Sequence, residues 1–170
     1  MNSNKNLVFL GMMGSGKSSI GLLVSKKLNL KFFDIDNMIE DEVGMKISNV
    51  FEIKGENYFR DIEEKVTLKI LKTNNNVVSL GGGAFINDKI RNEVLANNLS
   101  FWLNWDLEIL LKRIKKSKKR PLVFNSTDRA IKDLIKKRIK IYSKAKFTIN
   151  CNNLTKNEIV KKITKIYELN

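Results

Sequence analysis

The sequence predicts an α/β fold in which a five-stranded parallel sheet is flanked by helices. One observation is that five short apolar runs alternate along the chain with segments of helical periodicity, the order that builds βαβ units. A second is a glycine-rich turn at residues 11–18, between the first apolar run and the first helix. In such sheets ligands bind at the carboxyl ends of the strands, which is where this turn lies.

The predicted strands are short and separated by turn or helix signals. They lie at residues 7–10, 31–33, 77–80, 100–103 and 147–150. The third follows an asparagine turn at 74–76 and is followed at once by three glycines.

The predicted helices connect these strands. The first carries apolar residues at Ile20, Leu23, Val24 and Leu28. Gly44 is expected to end the second, and Thr155 with Glu158 forms a capping box that begins the last. The others are expected at residues 37–43, 56–72, 87–96, 106–115, 128–145 and 155–168, with one or two further turns near 47–51.

Composition excludes several kinds of chemistry. The chain has no histidine, so a general base must be a carboxylate, lysine, tyrosine or water. Cys151 is the only cysteine, which rules out an internal disulfide and suits a reducing cytoplasm. No apolar stretch reaches membrane-spanning length, and the first apolar run lacks a cleavage-like site, so we expect neither a membrane span nor a signal peptide.

The net charge of +14 has two interpretations. It could attract anionic partners, either small phosphates or a nucleic acid. It could instead reflect a surface rich in lysine and asparagine without a specific role. The second interpretation is favoured because aromatic residues do not interleave the lysines, as a base-stacking surface requires. We therefore expect no nucleic-acid partner.

The glycine-rich turn fits the phosphate-binding P-loop pattern G-x-x-x-x-G-K-[ST]. Glycines let backbone N–H groups turn inward around an anion, and the following helix N-terminus adds partial positive charge. Lys17 is expected to reach the β- and γ-phosphates of a nucleotide, and the Ser18 hydroxyl to ligate Mg²⁺. The residues expected to bind the nucleotide phosphates are Gly14, Ser15, Gly16, Lys17, Ser18 and Ser19.

Asp34 and Asp36 come directly after the second predicted strand. Because side chains two apart on a strand point the same way, both carboxylates can face the P-loop crevice. Asp34 would then hold the Mg²⁺ hydration shell, and Asp36 would accept a hydrogen bond from a substrate hydroxyl. The alternative for Asp36 is capping of the following helix. Strand three ends without an aspartate, so Asp34 is the candidate for the strand-end carboxylate common in P-loop enzymes.

Three other features could complete a site. The glycines at 81–83 indicate close backbone approach, to a ligand or within a tight turn. Arg60 and Arg138 suit bidentate binding of a carboxylate, although an arginine on a basic helix is usually solvated. Residues 115–125 predict either a lid or a flexible surface loop, in which Arg120 could stabilise a transferring phosphoryl group.

Together these residues resemble the shikimate kinase family, in the nucleoside-monophosphate-kinase-like group of P-loop folds. The resemblance covers essentially the whole chain and rests on six motifs that are short individually and specific in combination. They are GMMGSGKS at 11–18, FDID at 33–36, FRDIE at 59–63, SLGGGA at 79–84, RPL at 120–122, and Arg138 with Tyr142. Ile35 departs from the family pattern, which usually has a small hydroxyl residue there.

The resemblance implies one domain over residues 1–170 with a three-layer P-loop kinase fold. The P-loop would lie at 11–18, the substrate-binding region at about 34–63 and a mobile lid at about 115–125. The implied reaction is phosphorylation of the 3-hydroxyl of shikimate by ATP with Mg²⁺, in aromatic amino-acid biosynthesis. We expect a cytoplasmic, monomeric enzyme.

The resemblance also implies individual roles. The residues it assigns to shikimate are Asp36, Arg60, Gly82 and Arg138, with the two arginines on the carboxylate and Glu63 orienting Arg60. Asp36 would also accept the hydroxyl proton. Lys17 and Arg120 would stabilise the phosphoryl group, and Arg113 would pack on adenine. Residues 152–157 lack the arginine or proline often found near the base, so we expect loose purine selectivity.

Three alternatives remain open from the sequence. Another small-molecule kinase, such as a gluconate kinase, would share the P-loop and lid but has less reason to aim two arginines at one carboxylate. A nucleoside monophosphate kinase would need a site for a second base and phosphate. A non-enzymatic nucleotide- or nucleic-acid-binding module rests only on the positive charge.

Overall fold

The computed structural model describes residues 4–115 and 126–170. Among them, five strands form one parallel sheet in the order β2-β3-β1-β4-β5, which confirms the predicted fold class. The strands are β1 Leu7–Leu10, β2 Lys31–Asp34, β3 Asn76–Ser79, β4 Leu99–Asn104 and β5 Phe147–Asn150. Leu7 of the central strand pairs in register with Val77 on one side and with Leu99 on the other.

Helices cover both faces of this sheet. They are α1 Lys17–Leu28, α2 Ile35–Val43, α3 Ile47–Leu71, α4 Asp88–Asn97, α5 Leu107–Lys115, α6 Asp128–Tyr142 and α7 Lys156–Glu168, with a 3-10 turn at Ala84–Ile86. Within the described ranges, none of the helices is long and apolar enough to cross a membrane.

The central strand supplies side chains to two hydrophobic cores. Leu7 and Phe9 point into the core beneath α1 and α7, whereas Val8 and Leu10 point into the core beneath α2 to α6. This alternation follows from the two-residue period of a strand. Because β2, β3 and β1 are neighbours and parallel, their carboxyl ends lie side by side.

The second βα connection differs from the prediction. Strand β2 ends at Asp34 and helix α2 begins at Ile35, whose side chain is fully buried. Asp34 caps this helix, because its Oδ1 accepts hydrogen bonds from the N–H groups of Asp36 and Asn37, at 3.1 and 3.4 Å. The strand-alternation argument is therefore wrong here: Asp36 lies in the first turn of a helix, and Asp34 rather than Asp36 is the cap.

Gly44 ends α2 as predicted, with φ of 70° and an N–H that donates to the Glu40 carbonyl at 2.9 Å. The predicted turns near 47–51 and the predicted helix at 56–72 form the two parts of α3, before and after Gly55. Gly55 interrupts it with φ of 81° and ψ of 170°, so the helix is kinked there. A glycine at this point can adopt backbone angles that other residues rarely reach.

Asn6 holds together the end of the sheet opposite the glycine-rich turn. Its buried Nδ2 donates to the Thr73 carbonyl and to Asn98 Oδ1, and its Oδ1 accepts from the Asn76 backbone N–H. The side chain thereby links the segments that lead into β3 and β4.

Asn6→Ala should lower the free energy of unfolding by about 1–3 kcal/mol, because buried polar partners lose their hydrogen bonds. Urea denaturation measures this change. The matched variant Asn97→Ala alters an exposed asparagine and should change stability by no more than about 0.5 kcal/mol. Equal effects of the two substitutions would contradict the role given to Asn6.

Candidate active site

The glycine-rich turn between β1 and α1 wraps around its own lysine. Gly11, Gly14 and Gly16 have positive φ values of 137°, 77° and 94°, which favour glycine. Lys17 is only 8% exposed, and its Nζ donates to the carbonyls of Gly11 and Met12, at 2.9 and 3.2 Å. The loop therefore places an ammonium group at the N-terminus of α1, where the helix dipole also favours an anion.

Side-chain oxygen atoms that could ligate a metal ion lie next to Lys17 in the chain and at the ends of β2 and β3. The hydroxyls of Ser18 and Ser79 are 3.5 Å apart, and Ser79 pairs in register with Asp34. Among the described residues, no group of three or more histidine, cysteine, aspartate or glutamate side chains could hold a metal. Hydroxyl and carboxylate oxygens nevertheless suit Mg²⁺, which often keeps several waters and takes few protein ligands.

A cluster of carboxylates and arginines lies next to the glycine run. Arg60 donates from Nη1 to Glu63 Oε2 at 2.6 Å, and from Nε and Nη2 to Glu56 Oε1 at 3.2 and 3.0 Å. Burial raises the pKa of Glu63, whereas the Arg60 guanidinium opposes this rise and the Asp36 carboxylate adds to it. The kinked helix α3 thus presents an arginine held by two carboxylates.

Helix α6 contributes the second arginine. Arg138 Nη1 donates to the Gly82 carbonyl at 3.1 Å, and the Tyr142 hydroxyl donates to the same oxygen. Arg138 Nη1 also lies 3.8 Å from Met12 Sδ, beside the P-loop. The structure therefore brings Arg138 to the glycine run, as the carboxylate-binding interpretation requires.

The protein's own atoms crowd the three glycines. A Cβ at Gly81 would lie 2.5 Å from Glu63 Oε1 and 2.8 Å from Asp36 Oδ1, and a Cβ at Gly83 would lie 2.7 Å from Arg60 Nη1. A Cβ at Gly82 would lie 3.2 Å from the backbone nitrogen of Met13. The backbone of these glycines therefore lies close to charged side chains and to the P-loop of the protein itself. The 3-10 turn that starts at Ala84 follows directly.

Arg113 lies on the other side of the P-loop. Its guanidinium carbon is 4.2 Å from the centre of the Trp105 ring, and a Cβ at Gly16 would lie 3.5 Å from Arg113 Nη2. The Trp105 Nε1 donates to the Ser15 carbonyl at 2.9 Å. Sequence reasoning missed Trp105, although a tryptophan directly after β4, at the carboxyl edge of the sheet, was a visible signal.

The loop before α7 is held to the same edge without an arginine or proline. Asn152 Nδ2 donates to Asp106 Oδ1 at 2.7 Å, and Asn152 Oδ1 accepts from the Asp106 backbone N–H at 3.0 Å. Of the remaining predicted site residues, Ser19 lies exposed in the first turn of α1. Arg120 and almost all of the predicted lid at 115–125 lie outside the described residues.

Two neighbouring groups of side chains therefore share the carboxyl edge of the sheet. One is the P-loop with Lys17, Ser18 and, across the loop, Arg113. The other surrounds the glycine run at 81–83, and we call it the acid–arginine cluster. It consists of Asp36, Glu56, Arg60, Glu63 and Arg138. A parallel five-stranded sheet with this P-loop between its central strand and α1 is the architecture of a P-loop kinase.

Comparison with known proteins identifies the family. The family model for shikimate kinase matches residues 13–168, so the chain belongs to the shikimate kinase family. The shikimate kinase of Sulfurihydrogenibium sp. is 44% identical over 119 residues, which are 70% of this chain and 72% of that protein. The Rhizobium meliloti enzyme is 42% identical over 119 residues, which are 70% of this chain and 62% of that protein.

Solved structures agree with this assignment. Shikimate kinase from Acinetobacter baumannii, solved in complex with shikimate, has a TM-score of 0.91 at 28% identity, covering 99% of this chain and 95% of that chain. Shikimate kinase from Aquifex aeolicus has a TM-score of 0.86 at 36% identity, covering 96% of each chain.

The bond from Tyr142 to the Gly82 carbonyl gives a prediction for stability and its pH dependence. Burial raises the pKa of Tyr142 from 10.0 to about 12, with the Arg138 guanidinium opposing the rise. The folded protein then binds this proton more tightly than the unfolded chain, so stability falls as the pH rises from about 10 towards 12. Tyr142→Phe should cost about 1 kcal/mol at neutral pH, because Arg138 still satisfies the carbonyl.

Denaturation at about pH 9 and about pH 11 measures both effects. Between these values the free energy of unfolding should fall by about 1 kcal/mol more in the wild type than in Tyr142→Phe. Tyr58→Phe alters an exposed tyrosine and should follow the wild type. Parallel pH profiles of the wild type and Tyr142→Phe would contradict the assignment.

Proposed function

We propose that this chain transfers the γ-phosphoryl group of ATP to the 3-hydroxyl of shikimate, giving shikimate 3-phosphate and ADP. The observation that carries the proposal is the contact between a P-loop and an acid–arginine cluster, in a member of the shikimate kinase family. A Cβ at Gly82 would lie 3.2 Å from the backbone nitrogen of Met13, so the two parts of the site are adjacent.

The nucleotide phosphates bind at the P-loop. Lys17 already lies at the N-terminus of α1, held by two loop carbonyls. In this proposal its ammonium group and backbone N–H groups of residues 14–19 bind the β- and γ-phosphates. Ser18 and, through water, Asp34 hold Mg²⁺, which neutralises phosphate charge when bound.

The acceptor binds at the acid–arginine cluster. Arg60 and Arg138 approach the glycine run from two different helices, which suits a planar carboxylate placed between them. Glu63 holds Arg60 in position from its buried side. Glu56 and Glu63 together accept from three of the five N–H groups of Arg60, so a substrate carboxylate can bind this arginine without displacing either of them.

Asp36 serves as the proton acceptor and positions the hydroxyl. It lies in the first turn of α2, within reach of Gly81 and the Glu63 carboxylate. The chain has no histidine that could take the proton, and Glu63 is already paired with Arg60. Stabilisation of the phosphoryl group by Arg120, the one-domain organisation, the cytoplasmic location and the monomeric state stay predictions from the sequence.

A panel of acceptors tests the proposed function. Coupled ADP release should be stimulated by shikimate and not by gluconate or nucleoside monophosphates. A nucleoside monophosphate has no carboxylate for the arginine pair, and the open chain of gluconate does not hold a hydroxyl at a fixed place relative to its carboxylate. Lys17→Ala should abolish this turnover, whereas Lys26→Ala, on the exposed side of the same helix, should keep it. Stimulation by another acceptor in place of shikimate would overturn the proposal, and equal turnover in Lys17→Ala would remove the role given to that lysine.

Substitution of Asp36 and substitution of Asp34 should have different effects on the kinetics. Asp36→Asn keeps the size of the side chain but loses the charge, so kcat should fall roughly 10²–10⁴-fold with little change in ATP affinity. Part of this loss would come from positioning, because the proton leaves late in a dissociative phosphoryl transfer. Steady-state kinetics at saturating Mg²⁺ measure the effect.

Asp34→Asn is the matched variant. Asparagine caps a helix as well as aspartate, so α2 should stay formed while the Mg²⁺ concentration needed for activity rises. Near-normal kcat in Asp36→Asn together with an inactive Asp34→Asn would reverse the proposed division of roles.

A further inference from the structure

Trp105 makes two contacts that connect Arg113 to the P-loop. Its ring lies 4.2 Å from the guanidinium carbon of Arg113, close enough for a cation–π interaction. Its Nε1 donates to the Ser15 carbonyl at 2.9 Å. The carbonyl belongs to the phosphate-binding loop, so one side chain joins that loop to helix α5.

The Trp105 ring is half-buried. It packs against both hydrophobic cores of the sheet, at the edge where they meet. With its apolar body held by two cores and its N–H bound to a fixed carbonyl, the indole has little rotational freedom. A ring held in this way can in turn hold a flexible arginine side chain.

We propose that Trp105 is a positioning residue that holds Arg113 in place for stacking on the base of the bound nucleotide. The inference rests on the proposed function, because it requires a nucleotide at the P-loop. A planar guanidinium has two faces, and Trp105 takes one of them, which leaves the second for an aromatic base. The hydrogen bond to Ser15 fixes the ring, and with it Arg113, relative to the phosphate-binding loop.

Residues 152–157 contain no arginine or proline that could pack on the base, so Arg113 is the residue left to bind it. That loop is tied to Asp106, the residue next to Trp105, through the Asn152 side chain. Base binding then depends on one arginine that is ordered before the nucleotide arrives. Ordering a long side chain in advance lowers the entropy lost on binding, so the loss of Trp105 should weaken nucleotide affinity rather than the chemical step.

Dissociation constants for ADP and for inorganic pyrophosphate test the proposal, because only ADP carries a base. Trp105→Leu should weaken ADP binding about 3- to 30-fold, the range that cation–π energies imply, and should change pyrophosphate binding much less. Shikimate affinity and kcat at saturating ATP should stay near the wild-type values. Trp105→Phe keeps an aromatic face for Arg113 but loses the N–H that bonds to Ser15, so it should restore only part of the ADP affinity.

A double-mutant cycle tests whether Trp105 acts through Arg113. Arg113→Met alone should weaken ADP binding, and adding Trp105→Leu to it should have little further effect. Phe147→Leu is the matched control, because it removes a cation–π contact with Lys146, 5.2 Å from the ring, away from the P-loop. That variant should bind ADP like the wild type.

Three results would overturn the inference. One is unchanged ADP affinity in Trp105→Leu, and another is an equal loss of ADP and pyrophosphate affinity, which would indicate a general disturbance of the loop. The third is full additivity in the double-mutant cycle. If the wild type binds neither ADP nor pyrophosphate, the proposed function fails as well, which distinguishes that failure from a failure confined to Trp105.

Discussion

The hydrogen bonds to the Gly82 carbonyl are the interaction on which the arrangement of the site depends. Arg138 and Tyr142 both donate to this oxygen, so they tie helix α6 to the end of β3. On its other side, Gly82 lies so near the P-loop that an added Cβ would be 3.2 Å from the backbone nitrogen of Met13, a tighter contact than side chains usually make. One glycine thereby joins the phosphate-binding loop to the helix that carries an arginine of the proposed acceptor site.

The neighbouring glycines extend the same constraint to the charged groups. Gly81 lies against the carboxylates of Glu63 and Asp36, and Gly83 lies against the guanidinium of Arg60. Like charges so close together are tolerated because Arg60 pairs with Glu63, which offsets part of the cost of burying that carboxylate. The backbone of the glycine run acts as a spacer that sets distances between charges, and this requires residues without side chains.

Sequence and structure agree most closely where short-range physical rules apply. The P-loop, the glycine that ends α2 and the capping box that begins α7 depend on residues close together in the chain, and all three lie where the sequence predicts them. The same rules did not predict the conformation at Asp34 and Asp36, because an aspartate at the end of a strand can either continue the strand or cap a helix. In the structure Asp34 caps the helix that begins at Ile35, because its side chain accepts hydrogen bonds from the N–H groups of Asp36 and Asn37.

By itself the sequence determined the fold class, the P-loop and the presence of two candidate arginines, because periodicity and local motifs carry that information. The tertiary structure decided which distant groups meet. It brought Arg60 against Gly83, joined Arg138 to Gly82, and set Trp105 beneath Arg113. Such contacts link residues from different elements, and they exist only once the sheet has aligned its strand ends and both cores have fixed the helices against it.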